Sequence, residues 1–165
     1  MLFRSAQIEY NLAVGGKVVT SDNCKDLSEI DGVSGTVNYE PKTKTLTLQD
    51  ATIEGDIMYA ISSDIYGLKI KVVGTNKITA QAYGIIFSRP TSIIGDGTLE
   101  IVASDESGIN TSGNTLTVEG CTLNVKGGKF GIRGYDGNHG EDITVKNAKI
   151  TAEGTSEGSI GNIAS

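Results

Sequence analysis

The feature that most constrains this chain is a small residue followed by isoleucine, which recurs at nearly constant spacing. The five copies are Ala60-Ile61, Gly84-Ile85, Gly108-Ile109, Gly131-Ile132 and Ser159-Ile160. Their isoleucines lie 24, 24, 23 and 28 residues apart, and the polar run at 135–140 accounts for the longer last interval. Self-similarity of this period is typical of chains that stack one short unit on the next. The pattern predicts a solenoid with the five isoleucines in one interior column.

Each repeat has the pattern of three short strands in which apolar and polar residues alternate, as in Leu116-x-Val118, Leu123-x-Val125 and Gly131-Ile132. A second series marks equivalent positions at Thr52-Ile53, Lys77-Ile78, Thr98-Leu99, Thr122-Leu123 and Lys149-Ile150. The chain has 19 Ile, 17 Thr and 11 Val against 9 Leu, and β-branched residues favour a pleated strand over a helix. No repeat contains a stretch of about eleven residues with the apolar spacing of a helix. We therefore predict an all-β fold, a parallel β-helix of about five coils.

Two other folds remain open on the sequence. The segment Leu116-x-Val118-x-x-Cys121-x-Leu123 matches the core of a leucine-rich repeat. Asn76 lies two residues before Ile78, just as Cys121 lies two residues before Leu123. In that fold a helix or an irregular segment follows the core, whereas Leu123-Asn124-Val125 begins another alternating strand. A sandwich of two antiparallel sheets is the second alternative.

Residues 1–45 lack the repeat. We predict that they form an N-terminal cap with entry strands, followed in the same domain by β-helix repeats at 46–165. A hairpin turning at Gly15-Gly16, a strand at 35–39 and one short helix at 22–30 are expected. A cap is needed because the end of a β-helix exposes unpaired strand edges. No such segment follows the last repeat, so we expect either that the natural chain continues or that another chain covers this edge, and self-association through the open C-terminal edge is one way to cover it.

Charge and composition exclude several classes of partner. Lys and Arg total 14 against 20 Asp and Glu, a net charge of −6, which argues against binding to nucleic acid. No run of eighteen apolar residues is present, so membrane insertion is not expected. The first residues have no long apolar stretch of a leader peptide, and no anchor is visible. The two cysteines, Cys24 and Cys121, are too sparse for a disulfide framework or a zinc site.

A family resemblance is carried by the entry segment. Its residues are Val14-Gly15-Gly16, Val19-Thr20-Ser21, Asn23, Gly35-Thr36-Val37-Asn38-Tyr39, Pro41, Thr43, Thr45-Leu46-Thr47-Leu48 and Ala51-Thr52-Ile53. This segment resembles the opening of bacterial cell-surface parallel β-helix repeat proteins, many of which are labelled carbohydrate-binding domains. The similarity covers about 14–160. It implies a right-handed β-helix and an extracellular or cell-surface location, and it supplies no catalytic motif.

The polar run after the fourth repeat is the densest cluster of candidate ligand-binding residues. We predict polysaccharide contacts at Arg133, Tyr135, Asp136, Asn138 and His139, because a tyrosine ring stacks on sugars while amide and carboxylate oxygens accept hydroxyl protons. The plainest interpretation of the run is a solvated loop, and no cofactor is predicted. If the loop does bind an ion, Ca²⁺ suits it, with oxygen ligands from Asp136, Glu141 and Asp142.

A column of aromatic residues is the second feature of interest. Tyr59, Tyr83 and Phe130 each lie two residues before a repeat isoleucine, and Ser107 holds this place in the third coil. Alternation puts them on the same side of the strand as the isoleucine. We therefore predict an interior aromatic stack, with an exposed platform for polysaccharide as the alternative.

The sequence contains no recognisable catalytic constellation. The adjacent acids Asp105-Glu106 and Glu141-Asp142 should point to opposite faces of a strand, whereas a glycosidase needs two acids that face each other. Cys121 is expected to be a buried, unreactive thiol. The sequence therefore favours a non-enzymatic module that binds glycan, mediates adhesion or acts as a rigid spacer. A polysaccharide lyase or hydrolase is the alternative.

Overall fold

The computed structural model describes residues 6–55, 57–135, 137 and 141–163. Within these ranges the chain forms seventeen strands and no helix, which confirms the all-β prediction. The strands are β1 Glu9–Val14, β2 Lys17–Thr20, β3 Val33–Glu40, β4 Thr45–Ile53, β5 Tyr59–Ser63, β6 Leu68–Val73, β7 Thr75–Ala80, β8 Tyr83–Phe87, β9 Thr91–Gly95, β10 Thr98–Ala103, β11 Ser107–Asn110, β12 Leu116–Glu119, β13 Thr122–Gly127, β14 Phe130–Arg133, β15 Ile143–Lys146, β16 Lys149–Gly154 and β17 Gly158–Gly161. None of the described segments is a helix able to cross a bilayer.

The strands stack as a β-solenoid of about five coils, as the repeat predicts. One parallel ladder runs β5-β8-β11-β14-β17. Two more ladders, β4-β6-β9-β12-β15 and β4-β7-β10-β13-β16, meet at β4, which is long enough to serve both. Each coil after the first therefore gives one strand to each of three faces. A coil buries its apolar side chains only by stacking on its neighbours, so the core runs along the axis of the solenoid.

The predicted isoleucine column exists, with one exception at its end. Parallel pairing places Ile61, Ile85, Ile109, Ile132 and Ile160 in register. The first four are fully buried, but Ile160 is 50 % exposed, so the prediction of an interior position is wrong for this residue. Ile160 lies on β17, the last strand of its ladder, where no described strand covers its outer side.

The second series of predicted equivalent positions, which runs from Thr52-Ile53 to Lys149-Ile150, does not keep one register. From the third coil onward its members lie two residues away from the residues that pair with Ile53 and Ile78. Ile78 pairs with Ile101 rather than with Leu99, and Leu99 pairs with Asn76. Asn76 therefore occupies an inward position that leucine takes in the third and fourth coils. Its buried amide accepts a hydrogen bond from Ala51 N (2.9 Å) and donates to the carbonyls of Val73 (3.0 Å) and Thr98 (3.3 Å), so one side chain joins three coils.

The small residue before each isoleucine marks a corner where strict alternation breaks. A Cβ atom on Gly84 would lie 2.2 Å from Cγ2 of Ile101, and one on Gly108 would lie 2.2 Å from Cγ1 of Val125. Both glycines therefore face the core, as do the isoleucines that follow them. The small residue and the isoleucine thus both point inward. Alternation then makes the residue before the small residue, which is two before the isoleucine, point outward.

The N-terminal end is closed by antiparallel strands and a loop. The β1–β2 hairpin turns at Gly15-Gly16, as expected, and β1 pairs antiparallel with β5. Strand β3 pairs antiparallel with β4 along its length. The predicted helix at 22–30 is wrong: this segment forms turns, in which Leu27 N donates to Val37 O (2.8 Å) and Tyr39 N donates to Cys24 O (2.7 Å). Bonding to the outer edge of β3 replaces the bonds that a helix would make.

Candidate ligand-binding face

The structure describes only part of the predicted loop site. Asp136, Asn138 and His139 lie outside the described residues. Tyr135 and Asp142 are exposed, Arg133 is half-buried and Glu141 is fully buried. The predicted polysaccharide and Ca²⁺ contacts of this loop therefore stay predictions.

Glu141 organises the start of the loop. Its Oε1 accepts hydrogen bonds from the backbone N of Tyr135 (3.0 Å) and of Gly137 (3.2 Å). A buried carboxylate that accepts backbone N–H bonds is held firmly in place. Among the residues that the structure describes, no group of three or more His, Cys, Asp or Glu side chains is arranged to hold a metal ion.

Arg133 belongs to a charged cluster on the outer surface of the ladder β5-β8-β11-β14-β17. Its guanidinium lies 5.6 Å from the centre of the Phe130 ring and 3.9 Å from Glu106 Oε2. The other oxygen of Glu106 accepts a hydrogen bond from Lys129 Nζ, and this bond raises the pKa of the lysine. The cluster thus holds two cations around one carboxylate beside an aromatic ring.

The aromatic residues face outward, which makes the predicted interior stack wrong. Tyr59 is 42 % exposed, and its ring stacks on Tyr83 with the centroids 5.7 Å apart and the planes at 20°. Phe130 is half-buried on the same column, separated from Tyr83 by the buried Ser107. The cause is the corner described above, where the small residue and the isoleucine both turn inward. The residue pairs Gly84-Ile85 and Gly108-Ile109, small and large apolar residues side by side, are the sequence signal for this corner.

A second outward column runs beside the aromatic one. Parallel and antiparallel pairing put Ala13, Ser62, Ile86, Asn110 and Arg133 in register across five strands. All five side chains are partly exposed. We call the two columns together the aromatic face, defined by Tyr59, Tyr83, Phe130, Ser62, Ile86, Asn110 and Arg133.

A shallow groove of about 350 Å³ adjoins the aromatic face at its N-terminal end. Asn11, Ala13, Ser62, Asp64 and Ser88 contribute to its walls. Asp64 accepts hydrogen bonds from Ser88 Oγ (2.6 Å) and Arg89 Nε (3.1 Å). The Ser88 bond, helped by the charge of Arg89, lowers the pKa of this carboxyl, which is therefore an acceptor at neutral pH. The groove offers hydroxyl, amide and carboxylate groups beside the aromatic rings.

The two cysteines offer no nucleophile to this surface. Cys24 and Cys121 are both buried and unpaired by disulfide. Burial raises the pKa of the Cys121 thiol, and its Sγ lies 3.8 Å from the carbonyl of Ile93. A thiol that is buried and neutral is unreactive, as the sequence predicts.

Comparison of the chain with protein-family models, with curated proteins and with solved structures finds no match. The resemblance of the entry segment to bacterial surface β-helix proteins therefore stays a prediction. The aromatic face and the geometry of the coils are therefore the features from which a function is inferred.

Proposed function

We propose that this chain is a non-enzymatic module that binds an extended glycan on the aromatic face. The observation that carries the proposal is the exposed Tyr59–Tyr83 stack, in line with Phe130 and flanked by Ser62, Asn110 and Arg133. Tyrosine combines a large apolar ring with a polar tip, a combination suited to a sugar, which has apolar C–H faces and a hydroxyl rim. The ladder beneath the rings is a rigid support for such contacts.

The charge distribution favours a neutral glycan over an acidic one. Arg133 is the cation of the aromatic face as defined, and it lies with the neighbouring Lys129 beside Glu106. The chain as a whole carries a net charge of −6 and repels polyanions. Contacts on an open sheet are shallow and wet, so we expect a dissociation constant near millimolar, about −4 kcal/mol.

The proposal places the protein outside the cell or on a bacterial surface, where polysaccharide chains are available. This location rests on the resemblance of residues 14–53 to surface β-helix proteins. If no glycan binds, the regular stack of coils is suited to the role of a rigid spacer.

Binding is tested by affinity electrophoresis through gels that contain soluble neutral polysaccharides, followed by titration calorimetry on any glycan that retards the protein. We expect the Tyr59→Ala/Tyr83→Ala variant to bind at least tenfold more weakly. Tyr66→Ala is the matched control, because Tyr66 is 68 % exposed but lies outside the aromatic face. Full binding by the double variant would refute the site, and Tyr135→Ala tests the predicted loop separately.

The non-enzymatic character is tested on the same polysaccharides. We expect no fall in viscosity and no new reducing ends after prolonged incubation with the intact protein. Steady depolymerisation that follows protein concentration would overturn this part of the proposal.

A further inference from the structure

We propose that two copies of this chain pair tail to tail through their last coils, with β16 antiparallel to β16 of the second copy about a two-fold axis at Thr151. This inference concerns a different surface from the aromatic face and does not depend on glycan binding. It names a second copy of this chain as the partner of the open end.

The first observation is the apolar side chains exposed on the last coil. Val145 is 49 % exposed, although Leu46, Ile70, Ile93 and Val118 in the same column are fully buried. Ile160 is 50 % exposed at the end of its own column. Strands β15, β16 and β17 are the terminal strands of the three ladders, and no described strand pairs with their outer edges. Unpaired edges and apolar side chains together form a surface that favours strand addition.

The second observation is that, among the described residues, antiparallel strands cover the first coil, so that β2 and not β5 is the outer edge of its sheet. Strand β3 covers β4, and the backbone groups of Cys24 and Leu27 bond to β3 in turn. On the third face, the β1–β2 hairpin covers β5. Head-to-tail stacking of copies would therefore set the parallel strands of the last coil against this antiparallel cover and not against an open coil. A tail-to-tail pair uses the same open surface on both copies, as a two-fold interface requires.

The third observation is the register that the β16 sequence allows. Along β16, Lys149, Thr151 and Glu153 are exposed, while Ile150 and Ala152 are partly buried. An antiparallel pair must place inward residues opposite inward residues, so the two-fold axis has to pass through a residue rather than between two. With the axis at Thr151, Ile150 faces Ala152 of the second copy.

The same register brings opposite charges together. It sets Lys149 of each copy opposite Glu153 of the other, which makes two cross-strand ion pairs related by symmetry. An axis at Ile150 would set Lys149 opposite Thr151, and an axis at Ala152 would set Glu153 opposite Thr151, so neither alternative pairs opposite charges. Cross-strand pairs of opposite charge stabilise a sheet, whereas like charges in these places destabilise it. Glu153 already contacts Lys126 of the preceding coil at 3.2 Å, so the new pair extends a charge network.

The oligomeric state is tested by sedimentation equilibrium over a range of concentrations. We expect a monomer–dimer equilibrium for the chain. Lys149→Glu places like charges opposite each other and should raise the dimer dissociation constant about tenfold, while Lys149→Glu/Glu153→Lys should restore dimerisation. Lys71→Glu is the control, because Lys71 is exposed on β6 in a central coil. This substitution changes the net charge by the same amount as Lys149→Glu. A monomer at every concentration, or a dimer insensitive to Lys149→Glu, would overturn the proposal.

The register is tested by a cysteine placed on the proposed axis. Thr151→Cys puts two thiols directly opposite each other, within the ~4.5–5.5 Å Cα separation of antiparallel pairs that a disulfide can bridge. We expect rapid formation of a disulfide-linked dimer with oxidised glutathione. Glu100→Cys, exposed in the same column two coils away, is the control and should remain monomeric on a non-reducing gel. Equal cross-linking of both variants, or none for Thr151→Cys, would rule out this register.

Discussion

The N-terminal and C-terminal ends of the solenoid present the same kind of strand edge, but the described residues cover only the first. Leu46 and Val145 begin and end one column, and Leu46 is fully buried whereas Val145 is 49 % exposed. At the first end, β3 pairs with β4 and the 21–30 loop bonds to β3. At the other end, the described residues provide no cover for β15, β16 or β17.

The contrast between the two ends shows where the stability of a stacked chain comes from. A coil contributes little by itself, since most of its stabilisation is the contact with the coil on either side. Whether a residue is buried in such a fold therefore depends on the position of its coil along the solenoid as much as on the residue type.

The largest effect is expected from a charge placed in the covered part of the isoleucine column. Ile109→Asp buries an unpaired carboxylate between two coils and should lower the free energy of unfolding by about 4 kcal/mol or more. Ile160→Asp, at the uncovered end of the same column, should cost about 1 kcal/mol or less because water reaches the new charge. Urea unfolding followed by circular dichroism, at a concentration too low for dimers, measures both. Equal losses in the free energy of unfolding would contradict the dependence of burial on the position of the coil.

The second largest effect concerns the side chain that joins the first coils. Asn76→Leu introduces the residue type that the next two coils have in this column. It also removes the side-chain partner of Ala51 N and of the carbonyls of Val73 and Thr98. We expect a loss of about 2–3 kcal/mol, because buried backbone groups without partners are costly. Leu123→Met is the control for repacking in the same column and should cost less than about 1.5 kcal/mol. Similar losses in both variants would show that packing, rather than these hydrogen bonds, sets the cost.

A gain of stability is expected in the third coil. Within the described part of the chain, the buried Oγ1 of Thr111 has no hydrogen-bond partner. Thr111→Val keeps the shape of the side chain and removes the unpaired hydroxyl, so it should stabilise the fold by about 1 kcal/mol. Thr117→Val, on a partly exposed position of β12, is the control and should change stability by less than about 0.5 kcal/mol. A rise in melting temperature for Thr111→Val alone would support this account, and a fall would refute it.

The smallest effect at neutral pH concerns the N-terminal cap. Tyr39 is buried against Tyr10, with the ring centroids 5.3 Å apart, and burial raises the pKa of its phenol above the usual 10.0. The unfolded phenol ionises first as pH rises, so this group's contribution to stability is complete below about pH 10 and is lost as pH passes through the folded pKa. Tyr39→Phe should leave the melting temperature nearly unchanged at pH 7 and reduce its decline above pH 10. The same alkaline decline in both proteins would show that another group is responsible.

The coils themselves could be predicted because their signals are local. Alternation along Leu116–Glu119 and the spacing of the small-isoleucine pairs give the strands, the number of coils and the isoleucine register. The Gly15-Gly16 turn has positive φ at both residues, a conformation that glycine adopts without strain, and so its hairpin could also be predicted.

The features that sequence reasoning missed depend on contacts between coils. Strict alternation places Tyr59 and Tyr83 inward, but Gly84 faces the core as well as Ile85, and Ile101 of the next coil leaves room only for a glycine there. The 22–30 segment has residues compatible with a helix, yet its backbone bonds to β3. The exposure of Ile160 follows from the coil that it occupies, which no residue near it in sequence reveals.

The in-register stacking of the isoleucine column also determines how this molecule would respond to being pulled. Tension along the solenoid axis loads the ladders one coil at a time, and the last described coil, whose outer edges pair with no described strand, detaches first. Fully drawn out at about 3.4 Å per residue, the last repeat of 28 residues releases about 95 Å of chain, and each repeat of 23–24 residues releases about 80 Å. A single molecule stretched between a surface and a bead would therefore lengthen in regular steps from its C-terminal end, and the antiparallel strands at the N-terminus would yield last.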